Sequence, residues 1–102
     1  MRVLLQCVLS TLLLTASAYS PSRCEGGPLA ADGCKVTPGY SVAVSRDMKH
    51  LLGKWLHIEG VGWRLAHDLM GPRHRMAVDV AVKDRNVARE FGRQKIKVRV
   101  ER

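Results

Sequence analysis

Two aspartates are the residues of this chain whose type and spacing could perform acid/base chemistry. Asp68 and Asp79 stand eleven positions apart, each in a segment that alternates apolar and other residues, and a Gly-Pro-Arg turn at 71–73 joins the segments. Alternation with period two is typical of β-strands, so the turn is expected to bring two strands side by side. If the carboxylates lie close together, ionising both is unfavourable and one pKa rises.

Small side chains flank the second aspartate. Asp79 is expected to share its face of the strand with Ala77 and Ala81, which leave room above the carboxylate, and Asp68 to share its face with Arg64. A protonated carboxyl could protonate a glycosidic oxygen while an ionised partner stabilises positive charge. The alternative is structural, because aspartates near turns commonly bind backbone N–H groups.

The turn between the two aspartate strands is basic. Arg73 and His74 could bind substrate carboxylates, since arginine pairs with a carboxylate through two hydrogen bonds. A solvated basic turn is the alternative. No metal site is predicted, because no histidine stands at ligand spacing from Cys24 or Cys34, and no cofactor is expected.

The rest of the chain predicts the elements that must position these residues. Short alternating segments predict strands at 40–44, 54–59, 77–82 and 95–101, and another that ends at Asp68. One helix is predicted from Asp84 to Phe91, with Gly92 ending it. Many short strands and one small helix indicate a compact, mainly β barrel.

Two surface features bear on binding. In the last strand, Lys95, Lys97 and Arg99 alternate with apolar residues and are predicted to face water, where they could contact an anionic polymer or protect an edge strand from pairing. Trp55 and Trp63 lie in adjacent predicted strands. They would stack on a sugar ring if exposed, although core packing is the commoner role of tryptophan.

The N-terminus has the order of a secretory signal peptide. Arg2 precedes an apolar run at 3–14, and a small-x-small site ends at Ala18, so residues 1–18 are predicted to be removed and 19–102 to form one domain. No second apolar stretch approaches membrane length. A secreted or periplasmic location would favour a disulfide between Cys24 and Cys34. The chain carries 17 basic and 9 acidic residues, a formal net charge of +8 at pH 7, which suits an anionic partner.

The chain resembles the 3D domain, a bacterial family named for three aspartates. The matching elements, in order along the chain, are Val-Ala-Val-Ser-Arg-Asp at 42–47, Ile-Glu-Gly-Val-Gly at 58–62, Asp-Leu-Met-Gly-Pro-Arg at 68–73, Val-Asp at 78–79 and Ala-Arg-Glu-Phe-Gly at 88–92. The resemblance implies a small six-stranded double-psi β-barrel related to the catalytic domain of membrane-bound lytic transglycosylase A. It further implies cleavage of peptidoglycan glycan strands during cell-wall turnover, at the cell wall or outer membrane.

By motif order, the resemblance assigns the general acid/base role to Asp79 and a supporting role to Asp68. The same carboxyl would protonate the leaving oxygen and then deprotonate the sugar's own C6 hydroxyl, which gives a 1,6-anhydro product. The residues expected to contact substrate are Arg73, His74, Arg64 and Asp47. Ser45 occupies the position of the family's first aspartate, and Asp47 follows two residues later on the same side of an extended chain.

Two other functions remain open. A binding module of the same fold would hold the cell wall or a partner enzyme through its basic surface and catalyse nothing, which the small size of the chain favours. A nucleic-acid-binding protein is the third, but no aromatic-basic motif supports it and the signal peptide argues against it.

Overall fold

Six strands close into a barrel, with a 3-10 helix and one short α-helix between them. The computed structural model describes residues 10–21, 30, 33 and 35–101. In chain order the elements are β1 (Ser10–Tyr19), β2 (Ser41–Val44), the 3-10 helix (Arg46–Leu51), β3 (Trp55–Ile58), β4 (Gly62–Leu69), β5 (Ala77–Ala81), α1 (Arg85–Phe91) and β6 (Gln94–Val100). The prediction of a small, mainly β, six-stranded barrel with one short helix near the C-terminus is confirmed.

The strands are interleaved around the barrel in the order β1-β5-β2-β4-β3-β6. β1 pairs in parallel with β5, and β2 in parallel with β4, whereas the other neighbours are antiparallel. The chain passes from β1 to β2 across β5, and from β4 to β5 across β2, so two crossover connections interlock. This interleaving is consistent with a double-psi arrangement.

Alternating side chains fill the barrel interior. Inward-facing residues of every strand form one apolar core, because successive side chains of a strand point to opposite faces. The fully buried members with the largest side chains are Leu14, Leu56, Ile58, Val42, Val44, Val78, Val80 and Val98. In β6 the predicted alternation is confirmed, since Ile96, Val98 and Val100 are buried and the basic residues between them are exposed.

The predicted helix is present and begins where the sequence indicates. The Asp84 carboxylate accepts a hydrogen bond from the Val87 N–H at 2.9 Å, which caps the first turn of α1. Gly92 ends the helix at a positive φ of 66°. The 3-10 helix was not predicted. Its buried residues, Met48 and Leu51, are three positions apart and pack on the core.

The first strand overlaps the predicted signal peptide. Leu14 and Ala16 of β1 are fully buried in the barrel core, and β1 lies between β5 and β6. Cleavage after Ala18 would remove all of β1 except Tyr19. The signal peptide stays a prediction. It implies that the mature protein lacks β1, whereas the closed barrel includes β1.

Two further predictions concern the disulfide and membrane-spanning helices. Cys24 and Cys34 lie outside the described residues, so the predicted disulfide stays a prediction. Among the helices of the described ranges, none is long and apolar enough to cross a membrane.

Candidate functional site

The two predicted catalytic aspartates lie on the outer face of the barrel, on either side of β2. Ala43 of β2 pairs with Asp68 of β4 on one side and with Asp79 of β5 on the other. Asp79 pairs in turn with Ser17 of β1. Asp68, Ala43, Asp79 and Ser17 therefore form a row across four strands, and only an alanine side chain separates the aspartates. With strands about 4.8 Å apart, the two aspartate backbones are roughly 10 Å from each other.

A β-bulge in β4 brings Asp68 to this face. Val42 pairs with Ala66 but the next residue, Ala43, pairs with Asp68, so His67 is the extra residue. Ala66 lies in the core, whereas Asp68 lies beside Ala43 on the outer face. The expectation that Asp68 shares its face with Arg64 was wrong, because strict alternation fails at the bulge.

Asp79 is a partly buried carboxyl that accepts one side-chain hydrogen bond from the residues that the structure describes. The Ser17 hydroxyl donates to Asp79 Oδ1 at 3.0 Å. Burial raises the pKa of Asp79 above its ordinary value, and the charge of Asp68 raises it further. The Ser17 hydrogen bond and the nearby His74 act in the opposite direction on this pKa. The net direction is upward, as a general acid requires.

Tyr19 completes the cluster and was not predicted to be part of it. Burial contributes most to raising the pKa of the Tyr19 hydroxyl, and the negative charges of Asp68 and Asp79 raise it further. Among the described residues this buried hydroxyl has no hydrogen-bond partner. The phenol therefore stays protonated, and it is a neutral donor beside two carboxyl groups. The signal that could have found it is the alternation of Ser17 and Tyr19, which puts both on the outer face of one strand.

Small apolar clusters flank the aspartates on both sides. Ala77 packs with Ala43 and Met70 at one end, and Ala81 packs with Ala30, Val36 and Tyr19 at the other. The expectation that Ala77 and Ala81 share the face of Asp79 is confirmed by their places in these outer clusters. Both alanines are themselves buried, so Asp79 lies between two packed apolar clusters.

The basic turn approaches Asp79 at one residue. His74 lies close enough to Asp79 for its charge to lower the carboxyl's pKa. Both Arg73 and His74 are exposed in the turn that connects β4 to β5. The structure thus brings His74 to the aspartates and leaves Arg73 at the solvent side of the same turn.

Asp47 holds the end of the turn and does not lie in the aspartate row. Its two carboxylate oxygens accept from the Met76 N–H at 3.3 and 3.1 Å, and Met76 has a positive φ of 45°. A hydrogen bond with Ser45, the Met76 N–H and the nearby Arg75 lower the pKa of Asp47. Ser45 is buried and its hydroxyl accepts from the Ala77 N–H at 3.0 Å. Asp47 and Ser45 thus fix the start of β5, the strand that carries Asp79.

Arg64 lies away from the other predicted site residues. It pairs with Leu56, whose side chain is in the core, so Arg64 lies on the inner face of β4 and not on the face of the aspartates. It lines a cavity of about 360 Å³ together with Val82, Lys83 and Val87. Arg64 Nη1 donates to the Trp63 carbonyl at 2.8 Å.

A serine and a histidine also lie within hydrogen-bonding distance. Ser41 Oγ is 2.7 Å from His67 Nε2 and accepts from the Thr37 N–H at 2.8 Å. Both side chains are buried. Because no substrate can reach Ser41 in this arrangement, the pair joins β2 to β4 beside the bulge and is a structural contact.

Among the described residues, no group of three or more histidine, cysteine, aspartate or glutamate side chains could hold a metal ion. No protein-family model matches the chain, and no curated protein matches it significantly.

Proposed function

We propose that this chain cleaves the glycan strands of peptidoglycan in cell-wall turnover, as a small double-psi barrel similar to the 3D domain. The observation that carries the proposal is Asp79, a carboxyl whose pKa is raised by burial and by Asp68. An acid that keeps its proton closer to neutral pH can protonate a leaving oxygen. The order of the two aspartates along the chain supports the same assignment.

The proposed reaction uses Asp79 twice. Its carboxyl donates a proton to the glycosidic oxygen while the bond from that oxygen to C1 breaks, and the carboxylate of Asp68 stabilises the positive charge that develops on the sugar. The Asp79 carboxylate then takes the proton of the C6 hydroxyl, whose oxygen bonds to C1. The acid is regenerated and a 1,6-anhydro sugar forms without consumption of water.

Neighbouring groups support these steps. The Ser17 hydroxyl, 3.0 Å from Asp79 Oδ1, orients the carboxyl. The protonated Tyr19 phenol is a donor beside the developing charges. His74, whose charge acts on the pKa of Asp79, is the basic residue proposed to contact substrate. The proposed setting is secreted or periplasmic, at the cell wall or outer membrane, as the resemblance to the 3D domain implies. The mechanism requires that the folded protein keeps β1, which carries Ser17.

A second candidate function is a binding module of the same fold that catalyses nothing. The observation that favours it is the position of the larger of the two described cavities, about 390 Å³, which lies away from the aspartates and is lined by Lys97 and Arg99. A basic cavity on another face suits retention on an anionic polymer, whatever Asp79 does.

The deciding experiment is digestion of purified cell-wall sacculi, with mass spectrometry of the released fragments. Wild type is expected to release anhydro-sugar fragments, and Asp79→Asn is expected to lose at least ~100-fold in rate, the usual contribution of general acid catalysis. Asp84→Asn is the matched control, because it makes the same chemical change at a helix cap where asparagine serves as well as aspartate.

The outcomes separate the two functions. Equal release by wild type and Asp79→Asn would remove Asp79 from the mechanism. A folded wild type that releases nothing, but co-sediments with sacculi at low salt, would establish the binding module in place of the enzyme.

A further inference from the structure

A second row of side chains crosses the outer face of the barrel on the arc opposite the aspartates. His57 of β3 pairs with Trp63 of β4 on one side and with Arg99 of β6 on the other, and Arg99 pairs with Thr11 of β1. This row runs over β4, β3, β6 and β1, whereas the aspartate row runs over β4, β2, β5 and β1. The two rows therefore occupy complementary halves of the closed barrel.

A cavity lies on this second arc. Its volume is about 390 Å³, within the range of small-molecule sites. The lining residues are Thr11, His57, Glu59, Gly60, Lys97 and Arg99. Lys97 and Arg99 flank the buried Val98, so the alternation of β6 directs both cations to the outside, where they could bind an anionic group.

Glu59 determines which anion fits the cavity. The Lys97 N–H donates to Glu59 Oε1 at 3.3 Å, and the Glu59 N–H donates to the Lys97 carbonyl at 3.0 Å, so the carboxylate is held at the cavity wall. A carboxylate at this position repels any anionic group placed against it, so the negative group of a ligand is expected at Arg99 and Lys97 instead. It is, however, a strong acceptor for hydroxyl donors. Two cations beside one carboxylate suit a ligand that carries one negative group and several hydroxyls.

An exposed tryptophan lies beside the cavity and packs against one of its lining residues. The Trp63 ring packs edge-on against His57, with ring centroids 5.0 Å apart at 71°. Trp63 is 43% exposed, so neither it nor Trp55 occupies the core position that is commoner for tryptophan. An aromatic ring with a free face beside cations can pack on the apolar face of a sugar ring.

We infer that this arc, here called the acidic-glycan surface and made of His57, Glu59, Trp63, Lys97 and Arg99, binds an acidic sugar unit of an anionic glycan chain. The sugar carboxylate pairs with Arg99 and Lys97, its hydroxyls donate to Glu59, and its ring packs on Trp63. The inference deepens the proposed function, because it adds a second contact for a polymer of the same class, but it requires no catalysis at Asp79.

The test is calorimetric titration of the intact protein with oligogalacturonate, an acidic sugar chain. Arg99→Gln is expected to weaken binding by roughly tenfold, since it removes charge-assisted hydrogen bonds. Trp63→Ala and Glu59→Gln are expected to weaken it several-fold. Lys49→Gln removes the same charge from an exposed site outside the cavity and is expected to leave binding unchanged.

The ligand has a matched control as well. Fully methyl-esterified oligogalacturonate keeps the rings but lacks the carboxylates, and it is expected to bind much more weakly. Equal binding of both forms, an equal loss in Lys49→Gln and Arg99→Gln, tighter binding in Glu59→Gln, or preference for an oligonucleotide would each overturn the inference. Asp79→Asn is expected to retain full binding, so failure of this surface and failure of the proposed catalysis are distinguishable.

Discussion

Asp79 has an ionisable side chain in a partly buried position, and burial makes ionisation unfavourable. Burial penalises its ionised form, and the nearby Asp68 adds to the penalty. An aspartate with a purely structural role would be stabilised more in its ionised form by cations or by several N–H donors. The Ser17 hydrogen bond and the nearby His74 lower this pKa, but they do not return it to its ordinary value. The proposed role as a general acid requires such a raised pKa.

The raised pKa of Asp79 predicts how stability depends on pH. As the pH rises through about 4, the unfolded chain loses the proton of Asp79 before the folded chain does, so the free energy of unfolding falls. The fall continues until the pH exceeds the pKa of the folded state. Asp79→Asn carries no such proton and is therefore expected to be more stable than wild type at pH 7, with the difference vanishing below about pH 4.

Thermal unfolding of both proteins between pH 3 and 7 measures this difference. Asp84→Asn, whose side chain caps α1, should show no comparable gain at pH 7. If Asp79→Asn is less stable than wild type at neutral pH, the Asp79 carboxylate is a structural hydrogen-bond acceptor and not a strained acid.

For single residues, the sequence predicted the correct face of a strand where apolar and other residues alternate strictly. The face of Asp79 followed from its regular strand. The face of Asp68 did not, because the bulge at His67 adds one residue, and a bulge has no sequence pattern as strong as alternation. Tyr19 was missed as a site residue because parallel pairing of β1 with β5, which depends on distant residues, brings it to the aspartates.

Among the elements, β1 has two incompatible interpretations. A short apolar run with small residues at its end is the pattern of a signal peptide, and it is also the pattern of a strand buried in a barrel. The structure distinguishes neighbouring residues in this run: Leu14 is fully buried and Leu13 is 58% exposed. A signal peptide needs an apolar residue at both positions, whereas a barrel strand needs one mainly at Leu14, which faces the core.

Leu14→Ala and Leu13→Ala are therefore a matched pair for β1. In the full chain, Leu14→Ala is expected to lower the free energy of unfolding by about 2–5 kcal/mol, because it opens a cavity in the core. Leu13→Ala should cost less than about 1 kcal/mol. Denaturant unfolding of the purified chain measures both.

Mass determination of the protein recovered from cells that express the full chain tests the signal-peptide prediction directly. A stable mature protein that begins at Tyr19 would show that the barrel folds without β1, and it would contradict the expected effect of Leu14→Ala.

For the other elements, sequence and structure do not conflict. Turn residues and alternation located the remaining strands and α1, whereas the 3-10 helix was missed because six residues give too short a periodic pattern.

The whole molecule is a closed barrel, with the two aspartates on one arc of its outer face and basic and aromatic side chains on the other. Its strand order could not be obtained from local patterns, since the parallel pairs β1–β5 and β2–β4 join strands that are not consecutive in the chain. Closure has a functional consequence. The aspartate row ends on β1 and β4, and the acidic-glycan surface ends on β4 and on β6, the neighbour of β1. One polymer chain could therefore contact both arcs by passing around the barrel.

Contact at two arcs predicts that the effect of Arg99→Gln depends on substrate length. On intact sacculi, loss of the second contact lowers the local concentration of glycan at Asp79, so Arg99→Gln is expected to reduce the cleavage rate by roughly tenfold at low salt. On short soluble glycan fragments, which cannot reach from one arc to the other across a molecule 24–28 Å wide in its shorter dimensions, the same variant should cleave at the wild-type rate. Rates on the two substrates, measured side by side with Lys49→Gln as control, give the comparison. An equal loss on both substrates would mean that Arg99 acts through the fold or at the aspartates themselves, because a contact on the opposite arc can assist only a chain long enough to reach it.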